Sequence, residues 1–222
     1  MRFIKVPFGV LITSLTLAGV GTWWVMPTRA QVGTAGDWPS HNLDLRNSRY
    51  SPLEQINTSN ASQLKQQWSV PAKTGDVIRQ VTPLVIDGVM YYDAGSKLFA
   101  VDGATGAALW TYQVDPPFQG SGRGPTYADG YIYAYGGPYN GNVLYAVNAK
   151  TGQPLQSFGS KGRLLVANEV LKAKYPNKDA GGYRLVGAPT YLNGTLYVGL
   201  SQSEKPRLQQ AFRKLDLQGG TC

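Results

Sequence analysis

Apolar and aromatic positions between residues 83 and 197 come in short runs broken by Asp-Gly or Asn-Gly, and one such run is written three times. The copies are Pro83-Leu84-Val85-Ile86-Asp87-Gly88-Val89-Met90-Tyr91, Pro125-Thr126-Tyr127-Ala128-Asp129-Gly130-Tyr131-Ile132-Tyr133 and Pro189-Thr190-Tyr191-Leu192-Asn193-Gly194-Thr195-Leu196-Tyr197. Each predicts a β-hairpin, because Asp-Gly and Asn-Gly tolerate the positive φ angles of a two-residue type I′ turn, which folds strand directly back on strand.

A second phrase follows the first. Leu98-Phe99-Ala100-Val101-Asp102-Gly103-Ala104-Thr105-Gly106 returns as Leu144-Tyr145-Ala146-Val147-Asn148-Ala149-Lys150-Thr151-Gly152, and in weakened form from Phe212 to Gly220. It reads as a buried strand closed by a tight turn in which Asp or Asn bonds the turn backbone and Gly takes the left-handed conformation. Ala108-Leu109-Trp110-Thr111-Tyr112 then begins a further strand. Hairpin, strand, turn and strand make a four-stranded antiparallel sheet, the blade of a β-propeller. The hairpins start at Pro83, Pro125 and Pro189, and the first interval suits blades of roughly 40–50 residues. The second is lengthened by Gly159 to Arg184, where Val166 to Lys174 reads as a short helix or irregular excursion, either a plain surface loop or a rim element shaping a site.

The predicted class is therefore all-β: a partial propeller of roughly three four-stranded antiparallel blades. Residues 36–68 form an N-terminal segment, about 69–115 the first blade, about 116–160 the second, and about 161–222 the insertion with an incomplete third.

Residues 1–30 stand apart. Arg2 and Lys5 precede an apolar run from Val6 to Val25, and Thr28-Arg29-Ala30 offers a small-residue cleavage pattern. This is the pattern of a secretory signal peptide, which places the chain outside the cytoplasm, in the periplasm. The competing reading is a retained membrane anchor, weakened by Pro7, Gly9, Thr13, Ser14 and Thr16. Loss of the leader lowers the net charge from +8 to +5, since Arg2, Lys5 and Arg29 go with it. The remaining cations are scattered, so no nucleic-acid surface is expected. Cys222 is the single cysteine and His41 the single histidine. That composition excludes an internal disulfide, a Cys/His metal cluster and a triad with a second imidazole; His41 reads as a polar loop residue. Tyr127, Tyr131, Tyr133, Tyr135 and Tyr139 crowd the second blade. They read as packing between blades in preference to a sugar-binding platform.

The most distinctive stretch is Asp37-Trp38-Pro39-Ser40, then Arg49-Tyr50-Ser51-Pro52-Leu53-Glu54-Gln55-Ile56-Asn57, then Asn60 and Leu64 up to Trp68. It resembles the opening of quinoprotein dehydrogenases, exported enzymes that oxidise alcohols or sugars with pyrroloquinoline quinone (PQQ). The blade phrases fit the same family, and Thr151-Gly152-Gln153-Pro154 running on to Gly162 looks most like its glucose- and alcohol-dehydrogenase branches. The likeness covers residues 36–204. It implies an eight-bladed propeller with the quinone near its axis, a bound Ca²⁺ and an aspartate base, the cofactor carrying most of the chemistry.

The resemblance also implies site residues. Arg123, in Gly122-Arg123-Gly124, matches the arginine that pairs with the quinone; the other reading is a strand-entrance charge in water. Gln80 falls where the family often sets a polar residue beside the cofactor, or is an ordinary strand-end amide. Glu204 matches a calcium-binding glutamate and Ser201 would line the quinone, though Glu204 also reads as an exposed turn carboxylate. Pro117 and Phe118 stand where many members carry adjacent cysteines, and Val186 where the alcohol-dehydrogenase branch has a quinone-contacting threonine.

At this repeat length the 192 residues that follow the leader complete about two blades and most of a third. The expectation is the N-terminal portion of a dehydrogenase, through truncation, frame disruption or a divided gene. Such a chain does not turn over substrate alone and leaves blade edges for a missing propeller part or another subunit to cover. The alternative is a non-enzymatic periplasmic propeller-repeat scaffold.

Overall fold

The structure, a computed structural model, describes residues 36–70, 80–94, 97–115, 123–136, 143–177, 183–185 and 187–201. Twelve strands carry it. The first sheet runs in chain order through β1 (Leu84–Ile86), β2 (Val89–Ala94), β3 (Lys97–Asp102) and β4 (Ala108–Gln113), and the second through β5 (Thr126–Ala128), β6 (Tyr131–Gly136), β7 (Val143–Asn148) and β8 (Arg163–Leu165). All neighbours are antiparallel. The third copy gives the hairpin β10 (Thr190–Leu192) with β11 (Thr195–Tyr197), beside a short pair formed by β9 (Arg184–Leu185) and β12 (Leu200–Ser201). Two complete four-stranded blades and part of a third are thus present among the described residues.

The hairpin turns have the predicted conformation. φ is 49° and 76° at Asp87-Gly88, 49° and 82° at Asp129-Gly130, and 48° and 75° at Asn193-Gly194. Positive φ at both central positions matches the right-handed twist of the flanking strands. The second turn also forms as expected: Asp102 Oδ1 accepts from the backbone N–H groups of Ala104 and Thr105 at 3.0 and 2.8 Å. Asn148 Oδ1 accepts likewise from Lys150 and Thr151 at 3.0 and 3.1 Å. The two turns of one blade are then tied together, Gly103 N–H to Gly88 O at 2.8 Å and Ala149 N–H to Gly130 O at 2.9 Å.

The sheets stack face to face. Leu84, Ile86, Tyr91, Leu98 and Ala100 of the first meet Ile132, Ala134, Val147 and Ala149 at the second. On the opposite face of the second sheet, Ala128, Tyr133, Tyr135, Leu144 and Ala146 pack with Leu185 and, from the third hairpin, Tyr191 and Leu196. The middle sheet is covered on both faces, which is why β6 and β7 read as nearly unbroken apolar and aromatic runs. Tyr133 and Tyr135 are buried, in agreement with the core reading of the tyrosine cluster; Tyr139 lies outside the described residues.

The fourth strand of the second blade is divided. Gln153 to Leu155 pairs with the end of β7, Asn148 N–H on Gln153 O at 2.7 Å and Leu155 N–H on Ala146 O at 2.9 Å, around the bridge of Val147 to Pro154. The chain then turns at Ser160 to Arg163, with Ser160 N–H on Arg163 O at 2.7 Å, and β8 pairs with residues 143–145. The stretch after β8 is a π-helix, Val166–Leu171, running into one α-helical turn, Lys172–Lys174.

Candidate functional site

The first strands of the second and third copies, β5 and β10, line with the loop 39–47 an open groove of about 1170 Å³. The loop reaches this place by pairing. Trp38 bridges Val85 on β1, and Pro39 O accepts from Tyr127 N–H on β5 at 3.0 Å. Asp37 accepts from Asp87 N–H at 3.0 Å through Oδ1.

Arg123 lines the groove at the entrance to β5, with an exposed side chain. Its carbonyl oxygen joins three segments, accepting from Thr82 N–H at 3.2 Å and from His41 Nδ1 at 2.9 Å. Since a carbonyl only accepts, Nδ1 carries the proton in this contact. At the next residue, Gly124, φ is 106° and a Cβ would lie 2.4 Å from Thr82 O, so the two strand entrances approach as closely as backbones can. Farther along the groove, Tyr191 donates its hydroxyl to Asp129 Oδ2, and Thr126 donates to Pro189 O. Burial, then the Asp129 carboxylate, raises the Tyr191 pKa. Asp44 is held below the ordinary carboxylate range, first by the Ser48 N–H and then by the Ser48 hydroxyl.

The predicted site residues are only partly assembled. Gln80 is exposed, adopts φ 52°, and does not line the groove with Arg123; it stands two residues before Thr82. Ser201 ends β12, opposite Arg184 of β9. Glu204, Val186, Pro117, Phe118 and Cys222 lie outside the described residues, as does the predicted leader. Among the described residues no three His, Cys, Asp or Glu side chains converge on a possible metal site, so these residues by themselves do not form a Ca²⁺ site. No helix among them is long and apolar enough to cross a membrane. For a carboxylated quinone the donor set does fit: one guanidinium with paired donors and an imidazole line a groove of ligand size.

His41 is the groove residue that the sequence concealed. It stands 82 positions from its partner, in a loop with ordinary polar neighbours, and nothing local marks it.

Residues 38–215 match the β-propeller domain of glucose, ethanol and alcohol dehydrogenases of the PQQ type. The chain is 39% identical over 183 residues to the dehydrogenase subunit of a quinone-dependent alcohol dehydrogenase from Gluconobacter oxydans, covering 78% of this chain and 22% of that protein. It is 28% identical over 193 residues to the quinoprotein glucose dehydrogenase of Escherichia coli, covering 76% and 24%. Among solved structures, a quinohemoprotein alcohol dehydrogenase from Pseudomonas putida HK5 superposes with a TM-score of 0.60 at 27% identity, over 77% of this chain and 23% of the other. A europium-containing methanol dehydrogenase superposes at 0.56 and 27% identity, over 75% and 28%. The chain thus spans about a quarter of the length of these relatives.

Proposed function

Because this chain belongs to the PQQ-type glucose, ethanol and alcohol dehydrogenase family through its β-propeller domain, we propose that it is the N-terminal portion of an exported, periplasmic quinoprotein dehydrogenase that oxidises alcohols or sugars. The observation that carries the reading is Arg123 lining the groove with residues of β5 and β10. A guanidinium there offers two parallel N–H donors to a carboxylate of a flat, anionic cofactor, and the groove walls exclude part of the solvent that competes for it. When bound, PQQ supplies the two-electron acceptor for oxidation of a hydroxyl-bearing carbon. Arg123 binds and orients it, and the 39–47 loop closes one side.

Ca²⁺ belongs to this proposal through the family, with Glu204 as the expected ligand of this chain and Ser201 beside the quinone. The chain alone binds cofactor without turnover, and its open blade edges are covered in the working enzyme by further propeller sheets. Titration of the purified chain with PQQ, followed by tryptophan fluorescence, tests the reading. Saturable binding that weakens at least tenfold in R123Q is expected. Equal affinity of the two proteins, or no binding by either, overturns it. Addition of ethanol or glucose with an artificial electron acceptor should give no turnover.

A further inference from the structure

Three observations converge on the 39–47 loop. First, His41 donates from Nδ1 in the 39–47 loop to the Arg123 carbonyl at 2.9 Å, and both residues line the groove. Second, the same carbonyl accepts from Thr82 N–H, and Gly124 is wedged against Thr82 O, so rotation of the peptide at 123 is blocked on one side by backbone and on the other by the imidazole. Third, the loop keeps two non-glycine residues in the left-handed region, Leu43 at φ 72° and Asn47 at 56°, and Arg49 just beyond it is a third, at 52°. Non-glycine residues enter that region at a cost and cluster where a fixed loop shape serves a site. The shape is braced from within: Arg49 Nε donates to Asn42 Oδ1 at 2.9 Å, and Asn42 Nδ2 donates to Asn47 Oδ1 at 2.8 Å.

We infer that His41 is a positioning residue for the ligand groove: by holding the Arg123 carbonyl it fixes where the guanidinium is presented to a carboxylated quinone. The inference rests on the proposed role of Arg123 and adds a residue that acts through it. A guanidinium on a long side chain loses rotamer freedom when it binds, and a fixed backbone origin lowers that cost. The 39–47 loop is accordingly part of the binding apparatus and more than a surface turn.

Asparagine and glutamine separate the imidazole's two nitrogens. The amide of H41N sits where Nδ1 sits and can still donate to the carbonyl, whereas the amide of H41Q reaches the Nε2 position and leaves the carbonyl alone. PQQ titrations of the full chain are expected to show a loss of about tenfold in H41Q and affinity within about threefold of the parent in H41N. In the R123Q background, H41Q should cause no further loss, a coupling that general destabilisation of the loop does not produce. Circular dichroism of H41N and H41Q identifies any variant that fails to fold; if H41Q does, H41A and R123Q/H41A, which also lack the donor to the carbonyl, give the same coupling. R123Q weak with H41Q unchanged leaves the Arg123 reading standing and overturns the role of His41. Equal losses in H41N and H41Q, or additive losses with R123Q, also overturn it. No PQQ binding by the parent protein removes both readings.

Discussion

The indole of Trp110 lies flat against the α-carbon of Gly152: a Cβ built there would come within 2.7 Å of the ring, while Trp110 Nε1 donates to Ala149 O at 2.8 Å. Trp68 repeats the arrangement one blade earlier: a Cβ built on Gly106 would come within 2.6 Å of its ring, and Gly103 O accepts from its Nε1 at 3.1 Å. Trp68 thus fastens the segment before the first sheet, and Trp110 fastens β4, to a turn of the following sheet, so the turn glycine has a packing duty besides its left-handed φ.

Gly152→Ala is expected to cost more than Gly194→Ala. Both glycines are left-handed, at 69° and 75°, but nothing lies within 4 Å of a Cβ at 194. The backbone term alone is about 1–2 kcal/mol, and displacement of the indole adds roughly 1–3 kcal/mol at 152. Urea unfolding midpoints of the two variants check the order.

Asp93 gives a pH-dependent prediction. Its Oδ1 is sealed from solvent with no hydrogen-bond partner, and burial pushes its pKa from 3.8 up to about 6. A carboxyl with a raised folded-state pKa favours folding while protonated. Its contribution is complete below about pH 4 and lost as pH rises through 6. D93N, which stays neutral, should therefore raise the unfolding midpoint at pH 8 and change it little at pH 4. Two units correspond to roughly 3 kcal/mol at most. No pH dependence in the difference between parent and variant would exclude this role.

Two buried tyrosines should respond oppositely to loss of the hydroxyl. Tyr135 Oη has no partner, so Y135F removes an unsatisfied group and should leave stability equal or higher by about 1 kcal/mol. Tyr145 donates to Asp115 O, and Y145F should cost about 1 kcal/mol. Thermal unfolding of both proteins at one pH gives the comparison.

Second and third copies are joined at two polar points. Thr126 is buried and donates to Pro189 O, so T126V leaves that carbonyl unpaired and should cost about 1–3 kcal/mol. A double-mutant cycle of Y191F with D129N should give a coupling near 1 kcal/mol, read from unfolding midpoints.

The hairpins and their turns were legible because everything they need lies within a few residues: Asn193-Gly194 supplies both positive φ angles, and Asp102 reaches its own turn. The fourth strand of the second blade was not. Its text is divided by a reversal at Ser160 to Arg163, so that Gln153 to Leu155 meets one end of β7 and Arg163 to Leu165 the other, a division that no local pattern marks. Arg123 could be chosen through resemblance, but Gln80 could not be confirmed beside it, since the backbone turns at 80 and leaves the groove to others.

The sequence by itself determined the all-β class, the repeated blade, the Asp/Asn-Gly turns and the family, because period-two patterning and turn chemistry are local and the opening segment is distinctive. Tertiary structure alone decided that Trp68 and Trp110 lock onto Gly106 and Gly152, and that His41 meets the Arg123 carbonyl. Those contacts join residues 38 to 82 positions apart. Such distances close only when sheets stack, and stacking is fixed by the shape of the buried faces, which no local pattern encodes.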